Sequence, residues 1–216
     1  MFDLEALKAA VVDGEATQAR QITEAAVQAG VAPDSIFSIA LAPAMEEVGR
    51  RMQRNEYYIP EVLISAKAMK AASEILKPLI AQSGSVQRKG KAVMGTVKGD
   101  LHDIGKNLVV MMLEGAGMEV VDLGSDASPE RFVEAVKQHQ PEVVGMSALL
   151  TTTMLQMGKV VQALDAAGLR QSVKIMIGGA PVNEKYRQEI GADGFGADAA
   201  AAAEMAKVWV AQAGER

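Results

Sequence analysis

The spacing of apolar residues changes once along this 216-residue chain, near residue 90, and that change limits what the chain can fold into. Before it, apolar side chains recur at helical intervals. Leu4, Leu7 and Val11 follow a possible Asp3 cap. Ala19, Ile22, Ala26 and Val27 form a second stripe that ends at Gly30. A third helix, capped by Asp34 or Ser35, is expected to turn Ile36, Ile39 and Met45 inward. Pro60 opens a fourth, with Leu63, Ala66, Met69 and Leu76 on one face. Four such helices make a small bundle. After the change, short β-type runs alternate with helical ones. The strands are expected at 92–97, 119–124, 142–149, 174–180 and 193–196, with an alanine-rich helix from Asp198. Apolar strands alternating with helices imply an α/β domain built on a parallel, doubly wound sheet. Its ligands bind at the carboxyl ends of the strands. The polar stretch AQSGSVQRKGK, Ala81 to Lys91, reads as the linker. The expected organisation is a helical cap over residues 1–85 and a Rossmann-like, flavodoxin-like five-stranded domain over 86–216.

Composition narrows the function. Apolar residues make up 49% of the chain and aromatic ones only 4%, so Ala, Val, Leu, Ile and Met must fill the core. The net charge of −5 argues against nucleic acid as the main partner, because neutralising phosphates needs a basic surface. The absence of cysteine excludes disulfides, iron–sulfur clusters and Cys-type zinc sites. The start is acidic and amphipathic, unlike a signal peptide, and no apolar run approaches the roughly 20 residues of a membrane helix. A soluble cytoplasmic protein is expected.

The loop VKGDLHDIGKN, Val97 to Asn107, lies at the first strand's carboxyl end. It resembles a phosphate-binding loop and fails as one. Gly99 and Gly105 are separated by five residues rather than four, and Asn107 stands where a magnesium-binding hydroxyl belongs. Asp100 and Asp103 would also repel phosphates. Two readings of His102 remain. It caps the following helix, or it binds a metal while Asp100 accepts its second ring N–H. His139, the only other histidine, sits at a polar helix end and is read as unremarkable surface. One candidate histidine without cysteine makes an all-protein zinc site improbable. A single-histidine site suits a metal that arrives with its own equatorial ligands.

DLHDIG matches D-x-H-x-x-G. SAL, Ser147 to Leu149, matches S-x-L after 41 residues, and Gly178-Gly179 follows after 28 more. In this order the three elements resemble the signature of cobalamin-binding domains. The stretch Asn55 to Ile80 resembles the helical cap of methionine synthase and of the small corrinoid proteins of methyltransferase systems. The resemblance covers essentially the whole chain. It implies a cobalamin or related corrinoid bound with its nucleotide tail off the cobalt and His102 as lower axial ligand. Asp100 would orient His102, and Thr153 would supply the hydroxyl that bonds Asp100. The loop residues Leu101, Asp103, Ile104 and Gly105 would line the cofactor, with Gly105 leaving room for the tail. Ser147 would bond the tail, Leu149 and Thr151 would line its pocket, and Gly178, Gly179, Gly194 and Phe195 would let it lie near the backbone. Tyr58, Val62 and Met69 of the cap would shield the upper face; bundle core is the equally open reading of each.

The implied activity is methyl relay by a carrier subunit with no substrate site of its own visible. The cofactor would cycle between cob(I)alamin and methylcobalamin. Its partners would be a substrate-specific methyltransferase, a second methyltransferase to tetrahydrofolate or coenzyme M, and a reductive activator. Membranes are not expected among them. Three other classes were weighed. A cobalamin-dependent sensor needs an output module, for which the N-terminus offers neither length nor charge. A phosphoacceptor domain needs an aspartate where Ser147 stands. A mutase subunit generally lacks this cap.

Overall fold

A computed structural model describes residues 3–83 and 90–214, with side chains of 81–83 left aside. The expected linker at 81–91 and the boundary at 85/86 fall largely outside the described residues. The chain divides into two compact units, Met1–Gln87 and Arg88–Arg216.

The first unit is helical. Its elements are α1 (Leu4–Val12), α2 (Ala16–Gln28), α3 (Pro33–Ile36), α4 (Ala42–Gln53) and α5 (Ile59–Ser83). Asp3 caps α1, its carboxylate accepting from the amides of Glu5 and Ala6. Val12, at the carboxyl end of α1, offers its carbonyl to the hydroxyls of Ser65 (2.8 Å) and Tyr57 (3.2 Å). These bonds satisfy a group the helix itself leaves without a partner.

Three helical expectations are corrected. The third helix starts at Pro33 after Ala32, with Asp34 in its first turn, so neither Asp34 nor Ser35 is the cap. A π turn over Phe37–Leu41 joins α3 to α4. The wider turn shifts the helical phase, so Ile36 and Met45 are buried while Ile39 is 54% exposed. On α5 the buried stripe runs Val62, Ala66, Met69, Ala72 and Leu76. Leu63 falls one residue off that stripe and is exposed.

The second unit holds a five-stranded, all-parallel sheet. Its strands are β1 (Lys91–Thr96), β2 (Glu119–Asp122), β3 (Val143–Ser147), β4 (Lys174–Gly178) and β5 (Gly194–Gly196). Each lies inside or within one residue of an expected run. The intervening helices are α6 (Ile104–Gly115), α7 (Pro129–His139), α8 (Thr151–Ala166), α9 (Glu184–Ile190) and α10 (Ala199–Gly214). The strand order is β2-β1-β3-β4-β5, the flavodoxin-like doubly wound order. One face packs Val93, Val144, Ile175 and Ile177 against Phe132 and Val136 of α7 and Met157, Val160 and Leu164 of α8. The other face lies under α6 and α10, which pack together. Winding direction reverses between β1 and β3, so the crevice opens at their carboxyl ends. Among the described residues, no helix is long and apolar enough to cross a membrane.

Gly179 closes β4 with φ +123°, where an added Cβ would strike the carbonyl oxygen of Ala148. Gly179→Ala is expected to cost about 3 kcal/mol or more in chemical denaturation, since backbone strain and a backbone clash combine. In the first unit, Ile36→Ala is expected to cost about 2–5 kcal/mol. Ile39→Ser is expected to stay within about 0.5 kcal/mol of wild type. Equal costs for Ile36→Ala and Ile39→Ser in the same denaturation would contradict the phase shift at the π turn.

Candidate corrinoid site

The crevice is built from the loop after β1. Val97 donates its amide to the Ser147 carbonyl, and Gly99, at φ +81°, turns the chain. The Gly99 amide donates to Asp126 Oδ1 at 2.7 Å, and the Asp126 amide donates to the Asp100 carbonyl. Thr96 donates its hydroxyl to the His102 carbonyl at 3.1 Å. The loop is thus tied on both sides before any ligand arrives.

Asp100 is fully buried at its centre. Its Oδ1 accepts from His102 Nδ1 at 2.7 Å and from the His102 amide at 3.1 Å. Its Oδ2 accepts from the Leu149 amide at 2.8 Å and the Thr153 hydroxyl at 2.5 Å. The Thr153 oxygen also lies 3.0 Å from the Leu150 carbonyl. With one proton to give, the charge-assisted bond to the carboxylate wins. Burial, the largest single influence on Asp100, pushes its pKa up. The bonds from Thr153, Leu149 and His102 together outweigh burial and hold the carboxyl well below the usual carboxylate range. An ionised carboxylate only accepts, so His102 Nδ1 carries a proton, and in the neutral imidazole that tautomer leaves the lone pair on Nε2. The His102 side chain is 52% exposed, although its partner is buried. Around it stand exposed Leu101 (75%), Ile104 (65%), Leu149 and Leu150.

Beside this loop, a cavity of about 300 Å³ runs between the sheet and helices α6 and α10. Gly105 and Val109 line it from α6, Ala199 and Ala202 from α10. Ser147, Gly178, Gly179 and Phe195 line it from the strand ends. An added Cβ on Gly105 would meet nothing within 4 Å, so protein packing gives no reason for glycine there. Gly178 lies 3.2 Å from the Gly196 carbonyl by the same measure.

The structure does not gather every residue singled out in the sequence. Gly194 is off the cavity lining; its missing side chain leaves room for Met205 and Trp209. Thr151 is exposed at the start of α8. In the helical unit Val62 and Met69 are buried and Tyr58 is 62% exposed. Sequence reasoning missed Lys106, which is buried on the cavity wall. Its ammonium donates to Asn107 Oδ1 at 2.6 Å and Asp122 Oδ2 at 2.5 Å. It also missed the Leu149 amide, whose role no side chain advertises. Met94, Gly145 and Met176 on the cavity floor were missed too. A glycine inside an apolar strand was the available signal for these three.

The residues fit a corrinoid. The site offers one oriented imidazole nitrogen, exposed apolar side chains on the two flanking loops for the face of a ring, and an adjoining cavity for a tail. Among the described residues, no group of three or more His, Cys, Asp or Glu side chains could hold a metal ion, so a metal here must bring its other ligands.

Comparison with known proteins agrees. Residues 90–204 match the model of a B12 binding domain, and residues 3–77 match a second model with the same description. A corrinoid protein of Desulfitobacterium hafniense is 38% identical over 205 residues, 94% of this chain and 95% of that one. Trimethylamine corrinoid protein 2 of Methanosarcina mazei is 40% identical over 193 residues, covering 89% of this chain and 88% of that one. The methanol:cobalamin methyltransferase complex MtaBC of Methanosarcina barkeri contains a similar chain. It superposes with a TM-score of 0.85 at 32% identity, over 96% of this chain and 79% of that one. This chain belongs to the B12-binding corrinoid proteins of methyltransferase systems, and its cofactor is a corrinoid.

Proposed function

We propose that this chain is the methyl carrier of a corrinoid-dependent methyltransferase system, with His102 Nε2 as the lower axial ligand of the cobalt. The observation that carries the reading is the division of labour on Asp100. One carboxylate oxygen fixes the His102 ring and the other is held by Thr153 and Leu149. That arrangement selects the imidazole tautomer with a free Nε2 and raises its basicity. When bound, the corrinoid supplies a cobalt that accepts a methyl group and gives it up again. The protein's residues hold the ligand nitrogen in place, cover the lower face of the ring with apolar side chains, and take the displaced nucleotide tail into the cavity. Gly105 leaves the passage open and Ser147 is placed to bond the tail. Leu101, Asp103, Ile104 and Leu149 line the ring, with Gly178, Gly179 and Phe195 deeper along the tail.

The helical unit takes the role of cap. Of its three residues with an expected part in shielding, exposed Tyr58 is the one available to a ligand, while Val62 and Met69 are buried in the bundle core. A substrate-specific methyltransferase delivers the methyl group, a reading supported by the similarity to a chain from the MtaBC complex and to a trimethylamine corrinoid protein. A second methyltransferase removes it to tetrahydrofolate or coenzyme M, and a reductive activator rescues oxidised cofactor. The cysteine-free chain suits a reducing cytoplasm.

The test is electron paramagnetic resonance of the protein carrying cob(II)alamin, grown with ordinary or ¹⁵N-labelled histidine. The axial nitrogen splitting is expected to change from a triplet to a doublet on labelling and to vanish in His102→Ala carrying tail-less cobinamide. An unchanged triplet would mean that the corrinoid's own base stays on the metal, and the histidine assignment fails. Thr153→Val is expected to weaken cobinamide binding by roughly 10–100-fold, the usual cost of losing an outer partner of a metal ligand. Thr153→Ser keeps the donor and is expected to bind close to wild type in the same titration.

A further inference from the structure

The floor of the cavity is a row of three residues in register across the central strands. Met94 of β1 pairs with Gly145 of β3, and Gly145 pairs with Met176 of β4. All three are buried and all line the cavity. The space that a Cβ on Gly145 would need is already taken by the end of Met94, with Cε 2.6 Å away, and Met176 Cε stands at 3.4 Å. The row is therefore a surface on which the Met94 thioether lies over Gly145 with the Met176 methyl beside it. One step nearer the mouth, on the same face, Thr96, Ser147 and Gly178 form the next row.

Polar groups are scarce at the floor. The strand backbone there is engaged in the sheet ladder between β1, β3 and β4. The Lys106 ammonium is turned to Asn107 and to Asp122 at the end of β2, one strand outside the row. Asp198 accepts from the Ala201 amide at the start of α10. Ser147 belongs to the row above. A flat aromatic group lying on the floor would meet polarisable sulfur and methyl groups, which favour aromatic contact. A ring with several edge nitrogens and an exocyclic amine would bury them there without partners.

We propose that the Met94–Gly145–Met176 row selects the corrinoid by its lower base, taking apolar benzimidazoles and discriminating against adenine. The inference rests on the reading that the tail enters this cavity. Adenine loses hydrogen bonds with water that the floor does not replace, and each buried, unmatched polar group carries a penalty. Benzimidazole edges are largely carbon and lose little.

The experiment is equilibrium binding of three probes to the full-length cofactor-free protein, read by corrinoid absorbance after dialysis. The probes are hydroxocobalamin with its dimethylbenzimidazole tail, its adeninyl analogue, and cobinamide with no base. Hydroxocobalamin is expected to bind about tenfold or more tightly than the adeninyl analogue. Gly145→Ala forces Met94 into the cavity. It is expected to weaken both tailed corrinoids about tenfold while leaving cobinamide unchanged. Met176→Gln keeps the side chain's length and supplies a donor and an acceptor. It is expected to shrink the preference for hydroxocobalamin about tenfold, and it keeps the proposal testable if Gly145→Ala does not fold. Equal affinities for the two tailed corrinoids, or a preference that Met176→Gln leaves intact, would overturn base selection by this row while corrinoid binding stands. Failure of all three probes to bind would overturn the corrinoid reading beneath it, and the proposal with it.

Discussion

The buried carboxylate of Asp100 is the interaction on which the rest of the site depends. A charge without water is costly unless hydrogen bonds replace the solvent. Here the four donors come from three parts of the second unit. The His102 ring and amide belong to the loop after β1, the Leu149 amide to the loop after β3, and the Thr153 hydroxyl to α8. Satisfying the carboxylate therefore requires β1 and β3 to be neighbours with their loops in one register. That is what the reversal of winding between them provides. Fold and site impose the same condition, so the imidazole is oriented by the sheet rather than by its own exposed loop.

The cavity follows from the opposite device, the removal of side chains. Gly145, Gly178, Gly194 and Gly196 share one face of the sheet, with α10 above the last two. An added Cβ on Gly194 would strike Met205, and one on Gly196 would come within 2.8 Å of Ala202. Glycine at 194 and 196 draws the alanine-rich α10 close to the sheet. Glycine at 145 yields its space to the Met94 thioether, and neither it nor Gly178 is covered by a helix side chain. A tight wall and an open floor thus arise on one face from the same residue type, depending on whether a helix covers it.

Much of this was legible in the sequence, and the failures have physical causes. The strands were visible because sheets buried on both faces demand continuous apolar runs. Asp100 and His102 were singled out from the loop motif and Thr153 from the family resemblance, and the structure brings the three within hydrogen-bond reach. Ile39 was misplaced because reading a stripe assumes a constant 3.6-residue turn, and one π turn breaks that assumption without any marker in residue type. Lys106 next to a glycine reads as a phosphate ligand or a solvated charge. Its partner Asp122 lies 16 residues away at the end of β2, a pairing only the fold creates. The Leu149 amide was invisible for a simpler reason, since every residue but proline has one.

Exposed leucines and isoleucines are common singly on protein surfaces, but a cluster needs a reason. Leu101 and Ile104 belong to the loop that presents His102, and Leu149 and Leu150 to the loop whose amide holds Asp100. Looseness does not account for their exposure. The loop after β1 is pinned by Thr96, Asp126 and Asp100, and the loop after β3 by Asp100 and Gly178. A chain that fixes its backbone this firmly while turning its largest apolar side chains outward forgoes their burial on folding. Folding alone gives no return on that arrangement. It is recovered when a ligand with a broad apolar face covers these side chains, and the proposed ligation by His102 would set the metal of that ligand among them.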